Sequence, residues 1–319
     1  MYRLTGISVP AILLFCFSCS SPKYKAVFII IDGVPADVLE NISTPAVDAI
    51  ASAGGYTRAY VGGEKGTESE SPTISSPGYM HLLTGTWSNK HNVWDNDIDD
   101  PNYDYKNIFR IVEESDSSLK TAIFSTWLDN RTKLIGEGLP DAGNFKLDYS
   151  FDGFEYDTVN FPHVGRKYIS DIDEHISREA ARYILAEGPD LSWVYLEYTD
   201  DIGHMYGDSP EMTEAVKSAD AQVGRIWEAV KERMNHAGEE WMVVVTTDHG
   251  RSPVDGKDHG GQSERERTTW IATNVSHLNA RFYNNPGIVD IMPSILDFME
   301  ILIPEETMKN IDGVSFLKE

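Results

Sequence analysis

The chain has 319 residues, of which 41% are hydrophobic, 11% aromatic and 24% charged. This is a globular composition, and it excludes the disordered and fibrous classes. The 51 acidic against 27 basic residues give a formal net charge of −24. Binding to the backbone of a nucleic-acid duplex is therefore not expected, although bound divalent metals could still attract an anionic small molecule.

The first twenty residues are typical of an export signal. They contain one basic residue (Arg3), an apolar run over residues 9–17 and small residues around Cys19. The run is too short to cross a membrane. Small residues beside Cys19 resemble a bacterial lipoprotein processing site, which predicts a signal peptide over residues 1–19 and a lipid anchor on Cys19, with ordinary signal cleavage as the alternative. The protein is then periplasmic or on the cell surface, and contacts a membrane only through that anchor.

After a predicted linker over residues 20–25, apolar runs alternate with helical patterns. The runs are rich in β-branched and aromatic residues and lack polar alternation, which is typical of strands buried on both faces of a parallel sheet. Strands are predicted over residues 26–31, 121–125, 193–198, 241–247 and 270–273, and helices over residues 45–53, 107–114, 172–186, 210–235 and 289–302. This alternation predicts an α/β fold, a three-layer α/β/α sandwich with a mostly parallel central sheet.

Three carboxylates lie at or just past the ends of predicted strands. Asp32 follows the first strand, Asp200 the third and Asp248 the fourth. Open α/β sheets bind ligands at the carboxyl ends of their strands, so the three side chains are expected to converge on one crevice. Taken singly, each could instead cap the following turn or join an ion pair.

Histidines accompany two of these carboxylates. His204 comes four residues after Asp200, so one helical turn would place both on the same face. His249 directly follows Asp248, and His259 comes ten residues later. Carboxylate and imidazole are ordinary zinc ligands, although a capping aspartate and a surface histidine would give the same pair.

The segment around Ser75 has the features of a helix start. Either Ser75 or Ser76 is expected at the N-cap, with Pro77 at the first helical position. Capping alone would explain the serines. The functional alternative is that Ser75 lies in the positive field of the helix N-terminus, where free N–H groups favour an anionic ester.

In this order the residues resemble the alkaline phosphatase superfamily, and most of all its nucleotide pyrophosphatase/phosphodiesterase branch (type I phosphodiesterase). The likeness rests on five ordered motifs, which are Ile31-Asp-Gly-Val-Pro-Ala-Asp-Val-Leu39, Pro72-Thr-Ile-Ser-Ser-Pro77, Leu83-Thr-Gly85 with His91-Asn-Val-Trp-Asp-Asn96, Glu197-Tyr-Thr-Asp-Asp-Ile-Gly-His-Met-Tyr-Gly207, and Thr247-Asp-His-Gly250 followed by His259. The resemblance implies an alkaline phosphatase-like fold in a single catalytic domain over residues 26–319.

The resemblance also implies a two-metal site with a covalent mechanism. Its six ligands form two sets of three, which are Asp200, His204 and His259 for one zinc ion, and Asp32, Asp248 and His249 for the other. Ser75 would be the nucleophile and would form a phospho-serine intermediate, while Asn96 would bind a non-bridging phosphate oxygen. The expected cofactors are two Zn²⁺ ions, with another divalent metal as the alternative, and the expected substrate is a small-molecule phosphate ester.

Ser75 stands where the branch usually carries threonine. Two further departures bear on the substrate, and the first is that Ser76 replaces the aromatic residue that helps to hold a nucleotide base. Only ten residues separate His249 from His259, which leaves no room for a large insertion. The expectation of nucleotide specificity is correspondingly weaker.

Four basic residues, Arg251, Lys257, Arg265 and Arg267, flank the last motifs and could bind a second anionic group of the substrate, with Arg251 and Lys257 as the candidates. Long charged side chains more commonly serve surface solvation, which is the alternative.

Other activities share these ligands. A phosphomonoesterase or phosphonate hydrolase is not separated from a phosphodiesterase by the sequence. The Ser75-x-Pro77 motif also resembles that of sulfatases. However, Asp32 stands alone where sulfatases carry an aspartate pair, and Tyr79 occupies the position of their arginine. A non-catalytic surface lipoprotein would be expected to have lost ligands, yet all six metal positions and the nucleophile are present.

Overall fold

The computed structural model describes residues 23–318. The predicted signal peptide and Cys19 lie outside the described residues, so lipid anchoring stays a prediction. Within the part described, no helix combines the length and the apolar character needed to cross a bilayer.

Across residues 23–318, the centre of the molecule is a seven-stranded sheet. Its strands are β1 (Lys23–Ile31), β2 (Gly55–Tyr60), β3 (Thr121–Ser125), β4 (Tyr149–Phe151), β5 (Leu191–Leu196), β6 (Glu239–Thr246) and β7 (Thr268–Thr273). The order across the sheet is β2-β7-β6-β1-β5-β3-β4. Strand β7 runs antiparallel to both of its neighbours, and the other pairings are parallel. The predicted mostly parallel central sheet is confirmed.

Helices pack on both faces of the sheet. In chain order they are α1 (Ala36–Glu40), α2 (Pro45–Ala53), α3 (Ser75–Thr84), α4 (Ser88–His91), α5 (Ile108–Ser115), α6 (Lys167–Glu187), α7 (Tyr198–Tyr206), α8 (Pro210–Ala237), α9 (Glu264–Arg267), α10 (Ile291–Phe298) and α11 (Glu305–Met308). A π-helix at Asn130–Ile135 and 3₁₀ turns at Phe154–Tyr156 and Ile288–Asp290 complete the helical segments of the described chain.

Strand β1 shows why the chain folds into three layers. Phe28 and Ile30 point to one face and join a hydrophobic cluster with side chains of α3, α5 and α10. Val27 and Ile29 point to the other face and pack with α2, α6 and α8. Because both faces are covered, every position of the strand from Ala26 to Ile31 is buried and apolar. The predicted α/β/α sandwich is confirmed.

Some element boundaries differ from the predicted ones. Strand β1 already begins at Lys23, so the last three residues of the predicted linker, 23–25, belong to the sheet. Strand β5 ends at Leu196, because Tyr198 opens α7. The edge strand β2 was missed because its partly exposed residues do not form a continuous apolar run.

Candidate metal centre and nucleophile

The middle of the sheet brings the three predicted carboxylates together. Strands β6, β1 and β5 are adjacent and parallel, and Asp248, Asp32 and Asp200 follow their carboxyl ends. These ends share one edge of the sheet, where α/β proteins bind ligands. Asp32 and Asp248 are buried, and Asp200 lies in the first turn of α7.

Asp32, Asp248 and His249 form a cluster whose inward atoms lack protein partners. His249 Nε2 lies 3.5 Å from Asp32 Oδ1 and 3.3 Å from Asp248 Oδ2. Both carboxylate oxygens are buried, and within residues 23–318 neither has a hydrogen-bond partner. Unpaired buried oxygens are costly. Their convergence on a buried imidazole nitrogen fits a divalent metal ion bound by nitrogen and oxygen ligands.

The outward atoms of the same cluster are held by the backbone. Asp248 Oδ1 accepts a hydrogen bond of 3.1 Å from the Gly33 N–H. His249 Nδ1 lies 2.8 Å from the Gly250 carbonyl oxygen and donates to it. A histidine that donates from Nδ1 keeps its Nε2 lone pair free, which is the usual arrangement of a metal-ligating imidazole.

Asp200, His204 and His259 form a second cluster. His204 Nε2 lies 3.3 Å from Asp200 Oδ2 and 3.1 Å from His259 Nε2, and His259 Nε2 lies 3.8 Å from Asp200 Oδ1. Asp200 and His204 share one face of α7 because they are four residues apart. His259 Nδ1 lies 2.9 Å from the Thr73 carbonyl oxygen, so its Nε2 faces the cluster.

The two clusters are contiguous. The imidazole rings of His249 and His259 stack with centroids 3.8 Å apart, and His249 Nε2 is 3.9 Å from Asp200 Oδ1. One set of mutually close ligand atoms comes from Asp32, Asp248 and His249, and another comes from Asp200, His249 and His259. His249 therefore belongs to both sets, whereas the sequence placed it in one.

Burial and like charges shift the pKa values of the carboxyl groups. Burial, reinforced by the charge of Asp200, raises the pKa of Asp32 to about 7. Burial and the charge of Asp32 raise the pKa of Asp248 well above its usual range. Burial also acts to raise the pKa of Asp200, but the hydrogen bond with His204 and the charge of Arg251 outweigh it, so this pKa lies below its usual value. A bound cation would favour the ionised form of all three groups.

The direction of the pKa shift of each histidine follows its exposure to solvent. Burial lowers the pKa of His249 and of His259, helped in each case by neighbouring positive charge. Both imidazoles are therefore neutral near pH 7, the form that ligates a metal. The hydrogen bond with Asp200 raises the pKa of the more exposed His204.

Ser75 lies at the mouth of the first cluster, with Oγ 3.4 Å from His249 Nε2. The predicted N-cap is wrong, because α3 begins at Ser75 itself, Ile74 holds the cap position, and no side chain caps the helix. Ser76 is buried, and its Oγ has no partner in the described part of the chain. Pro77 is accordingly the third helical residue and not the first.

The start of α3 offers fewer free N–H groups than expected. The Ser76 N–H donates to Asn96 Oδ1 at 3.0 Å, Pro77 has no N–H, and the Gly78 N–H donates to the Ile74 carbonyl oxygen. Among the first four residues of α3, judged within residues 23–318, only Ser75 keeps an uncommitted N–H. The helix terminus therefore contributes one backbone donor to the site.

Arg251 lies under the site and not in it. Only 1% of the residue is exposed. Its guanidinium donates to the carbonyl oxygens of Gly33 (2.9 Å), Lys257 (2.9 Å) and Asp200 (2.7 Å) and also to the Asp200 carboxylate. These bonds use four of its five N–H donors within the protein and give Arg251 a supporting role, and its predicted binding of substrate stays a prediction. The Lys257 side chain is exposed, and its predicted role stays a prediction.

Sequence reasoning missed the hydroxyl groups that surround Asp32. Tyr79 and Tyr195 donate to Asp32 Oδ2 at 2.5 and 2.6 Å, and Thr199 Oγ1 donates to the Asp32 carbonyl oxygen at 2.6 Å. The two tyrosines are buried and resemble ordinary core aromatics in the sequence. The available signal is the spacing of Tyr79, which is one helical turn after Ser75.

The fold and this site together define an α/β protein of the alkaline phosphatase type with a candidate two-metal centre. Residues 26–289 match the type I phosphodiesterase / nucleotide pyrophosphatase family. The chain belongs to that family, which comprises phosphoester hydrolases.

Three similar proteins illustrate the relationship. A 2,3-bisphosphoglycerate-independent phosphoglycerate mutase of Mycoplasma mycoides is 32% identical over 108 residues, or 34% of this chain and 19% of the mutase. An uncharacterized pyrophosphatase/phosphodiesterase of Schizosaccharomyces pombe is 22% identical over 79% of this chain and 53% of its own length. The chain thus spans about a fifth to about half of these curated relatives. An inactive variant of murine ectonucleotide pyrophosphatase/phosphodiesterase 5, solved with AMP, superposes with a TM-score of 0.61 at 12% identity, covering 91% of this chain and 100% of that chain, which shows the fold.

Proposed function

We propose that the protein hydrolyses phosphate esters, phosphodiesters before monoesters, with Ser75 as nucleophile and two zinc ions as cofactors. The observation that carries this proposal is the convergence of Asp32 Oδ1, Asp248 Oδ2 and His249 Nε2 beside Ser75 Oγ. The two carboxylate oxygens are buried without partners in the described chain. The serine oxygen is 3.4 Å from the imidazole nitrogen.

Six side chains would hold the metals. They are Asp32, Asp248 and His249 for one ion, and Asp200, His204 and His259 for the other. When bound, such ions favour the ionised form of a nearby hydroxyl and offset the negative charge of a phosphate ester. Other divalent metals remain the alternative to zinc.

Ser75 would carry the covalent step. Its Oγ gives up its proton and forms a bond to phosphorus while the bond from phosphorus to the leaving oxygen breaks, which gives a phospho-serine and a leaving oxygen that takes up a proton. Water then gives up a proton and attacks the same phosphorus, the bond to Ser75 Oγ breaks, Oγ takes up a proton, and the phosphate product is released. The position of Ser75 on the first residue of a buried helix limits its movement, as an oriented nucleophile requires.

Asn96 would hold a phosphate oxygen. Its Oδ1 accepts the Ser76 N–H at 3.0 Å, and this bond identifies which end of the amide is the oxygen. The Nδ2 donors are then left for a ligand, and the residue is exposed to solvent. Together with the Ser75 N–H, they supply donors for non-bridging oxygens as charge develops in the transition state.

The charges around the site favour a diester. Arg251 is bonded within the protein, Lys257 is exposed, and no arginine or lysine side chain of the described residues donates a hydrogen bond to Ser75 or Asn96. A monoester carries an additional negative charge that a cationic side chain would have to balance. Nucleotide leaving groups belong to this proposal only as one class of diester, because the buried Ser76 offers no aromatic surface to a base.

The test is a comparison of aryl phosphodiester, aryl phosphomonoester, aryl phosphonate and aryl sulfate substrates with the zinc-loaded protein. We expect kcat/KM to be highest for the phosphodiester. A higher value for the monoester or the phosphonate would transfer the proposal to those classes, and a higher value for the sulfate would make the protein a sulfatase. Absence of turnover with all four would leave the non-catalytic lipoprotein as the better description.

We also propose that the protein is exported and lipid-anchored at Cys19. The support is the sequence of residues 1–20, with its apolar run and its small residues beside the cysteine. Fractionation of cells that express the wild type and Cys19→Ala tests the anchor. The wild type should sediment with membranes and the variant should not, whereas equal sedimentation of both would refute the anchor.

A further inference from the structure

The Asp32 carboxylate is enclosed on one side by two buried phenols. The hydroxyl groups of Tyr79 and Tyr195 lie 2.5 and 2.6 Å from Asp32 Oδ2 and 2.9 Å from each other. Each phenol has a single proton, so the three contacts cannot all be hydrogen bonds from separate protons. Bonds to an ionised carboxylate are the stronger ones, and both protons therefore point at Oδ2.

This arrangement leaves Asp32 with one oxygen to offer. Two donors use the accepting capacity of Oδ2, while Oδ1 has no partner among the described residues and faces His249 Nε2 at 3.5 Å. Asp248 is treated in the same way, since its Oδ1 accepts the Gly33 N–H and its Oδ2 is free. Asp32 can thus bind a cation through Oδ1 only, and Asp248 offers its unpaired Oδ2 first.

The number of oxygens offered bears on the choice of metal. Zinc is satisfied by about four nitrogen and oxygen ligands. Calcium takes about six to eight oxygens and commonly binds carboxylates through both of them. A site with two one-oxygen carboxylates and one imidazole nitrogen is matched to the smaller coordination number.

We propose that Tyr79 and Tyr195 are positioning residues that restrict Asp32 to one-oxygen ligation and thereby favour a zinc-like over a calcium-like ion. The inference rests on one part of the proposed function, namely that Asp32, Asp248 and His249 hold a divalent cation. Packing does not require the hydroxyl groups. Tyr79 lies among aromatic rings, with the Trp193 ring centroid 6.1 Å away, and phenylalanine would fill the same space.

The test uses Co²⁺, whose visible absorption is strong at low coordination numbers and weak at high ones. The metal-free full-length protein, Tyr79→Phe, Tyr195→Phe and the double variant are titrated with Co²⁺, and bound Co²⁺ is then challenged with Ca²⁺. Tyr149→Phe is the matched control, because its hydroxyl also donates to a carboxylate, Glu179 Oε1 at 2.6 Å, away from the site. Asp32→Ala identifies the signal that depends on this cluster.

The double variant should bind Co²⁺ about 10- to 100-fold more weakly than the wild type, as loss of outer contacts to metal ligands does elsewhere. Its absorption should be weaker and its Co²⁺ more easily displaced by Ca²⁺, while Tyr149→Phe matches the wild type. Each single variant should lie in between, so they decide the matter if the double variant does not fold. Unchanged affinity, spectrum and displacement in all phenylalanine variants would overturn the inference alone. A wild type that binds no Co²⁺, or a Co²⁺ signal that Asp32→Ala leaves unreduced, would overturn the first metal site of the proposed function and this inference with it.

Discussion

Ser75 and Ser76 are adjacent and chemically identical, yet their surroundings differ. Ser75 Oγ faces the metal-ligand cluster at 3.4 Å from His249 Nε2, whereas Ser76 Oγ is buried without a partner in the described chain. Ser75→Ala should keep its fold and its bound metal and lose about 10⁴-fold or more in kcat, as loss of a nucleophile does. Steady-state kinetics with an aryl diester and metal analysis of the purified variant measure both effects.

Ser76→Ala is the control for that experiment. Among residues 23–318 its hydroxyl has no hydrogen-bond partner, so its removal should leave kcat near the wild-type value and leave the melting temperature unchanged or slightly higher. An inactive Ser76→Ala beside an active Ser75→Ala would show that the nucleophile has been assigned to the wrong serine. The two-metal centre would survive that result.

At the residue scale, the candidate metal ligands could be predicted from the sequence better than the residues that hold them in place. The acidic and histidine residues at strand ends could be predicted because metal ligation needs those residue types after strands that meet at one edge. Tyr79 and Tyr195 could not, because they are 116 residues apart in sequence and their hydroxyl groups reach Asp32 only in the folded protein. The supporting bonds of Arg251 could not be predicted for the same reason, since its acceptor at Gly33 is 218 residues away.

At the scale of elements, Arg251 ties together three segments that carry ligands. It bonds to the turn after β1, to the start of α7 and to the loop that leads to His259. The chain leaves room for it, because a Cβ on Gly203 would lie 2.1 Å from Arg251 Cζ. Arg251→Lys keeps the charge but cannot reach all of these acceptors, so the free energy of unfolding should fall by about 2–4 kcal/mol.

Urea unfolding and KM measured side by side distinguish this supporting role from substrate binding. If Arg251 binds substrate, Arg251→Lys should raise KM and leave the free energy of unfolding unchanged. That outcome would support the prediction of substrate binding. Lys257→Met is the matched control. Its exposed side chain predicts unchanged stability, and a raised KM would support its role in binding substrate.

The elements that could be predicted are those with one environment along their length. Strands β1, β3 and β6 are buried almost throughout, so their apolar runs identify them. Strand β2 at the edge mixes exposed and buried positions, so no local pattern encodes its presence. Helix α3 begins without a capping side chain, so no local pattern encodes its start. Both are fixed by tertiary contacts, as when Asn96 binds the Ser76 N–H.

At the scale of the whole molecule, the acidic character of the chain and the metal centre combine in the pH dependence of stability. Burial and the charge of Asp200 raise the pKa of Asp32 in the metal-free protein to about 7 from an ordinary value of 3.8. A raised folded-state pKa means that the folded form binds the proton more tightly than the unfolded chain. This contribution to stability is complete below about pH 4 and is lost as the pH rises through about 7.

Zinc should therefore stabilise the protein more at about pH 8 than at about pH 5. At the lower pH a proton on Asp32 competes with the ion, whereas at the higher pH the ion relieves the repulsion between ionised carboxylates. We expect the melting temperature of the metal-free protein to decrease from about pH 5 to about pH 8. Over the same range, the increase in melting temperature caused by equimolar zinc should become larger. Asp32→Asn removes one of the titrating groups and keeps its size, so it should make the metal-free curve less steep. An equal zinc effect at both pH values would contradict the placement of Asp32 as a ligand, because a cation bound elsewhere would not have to displace its proton.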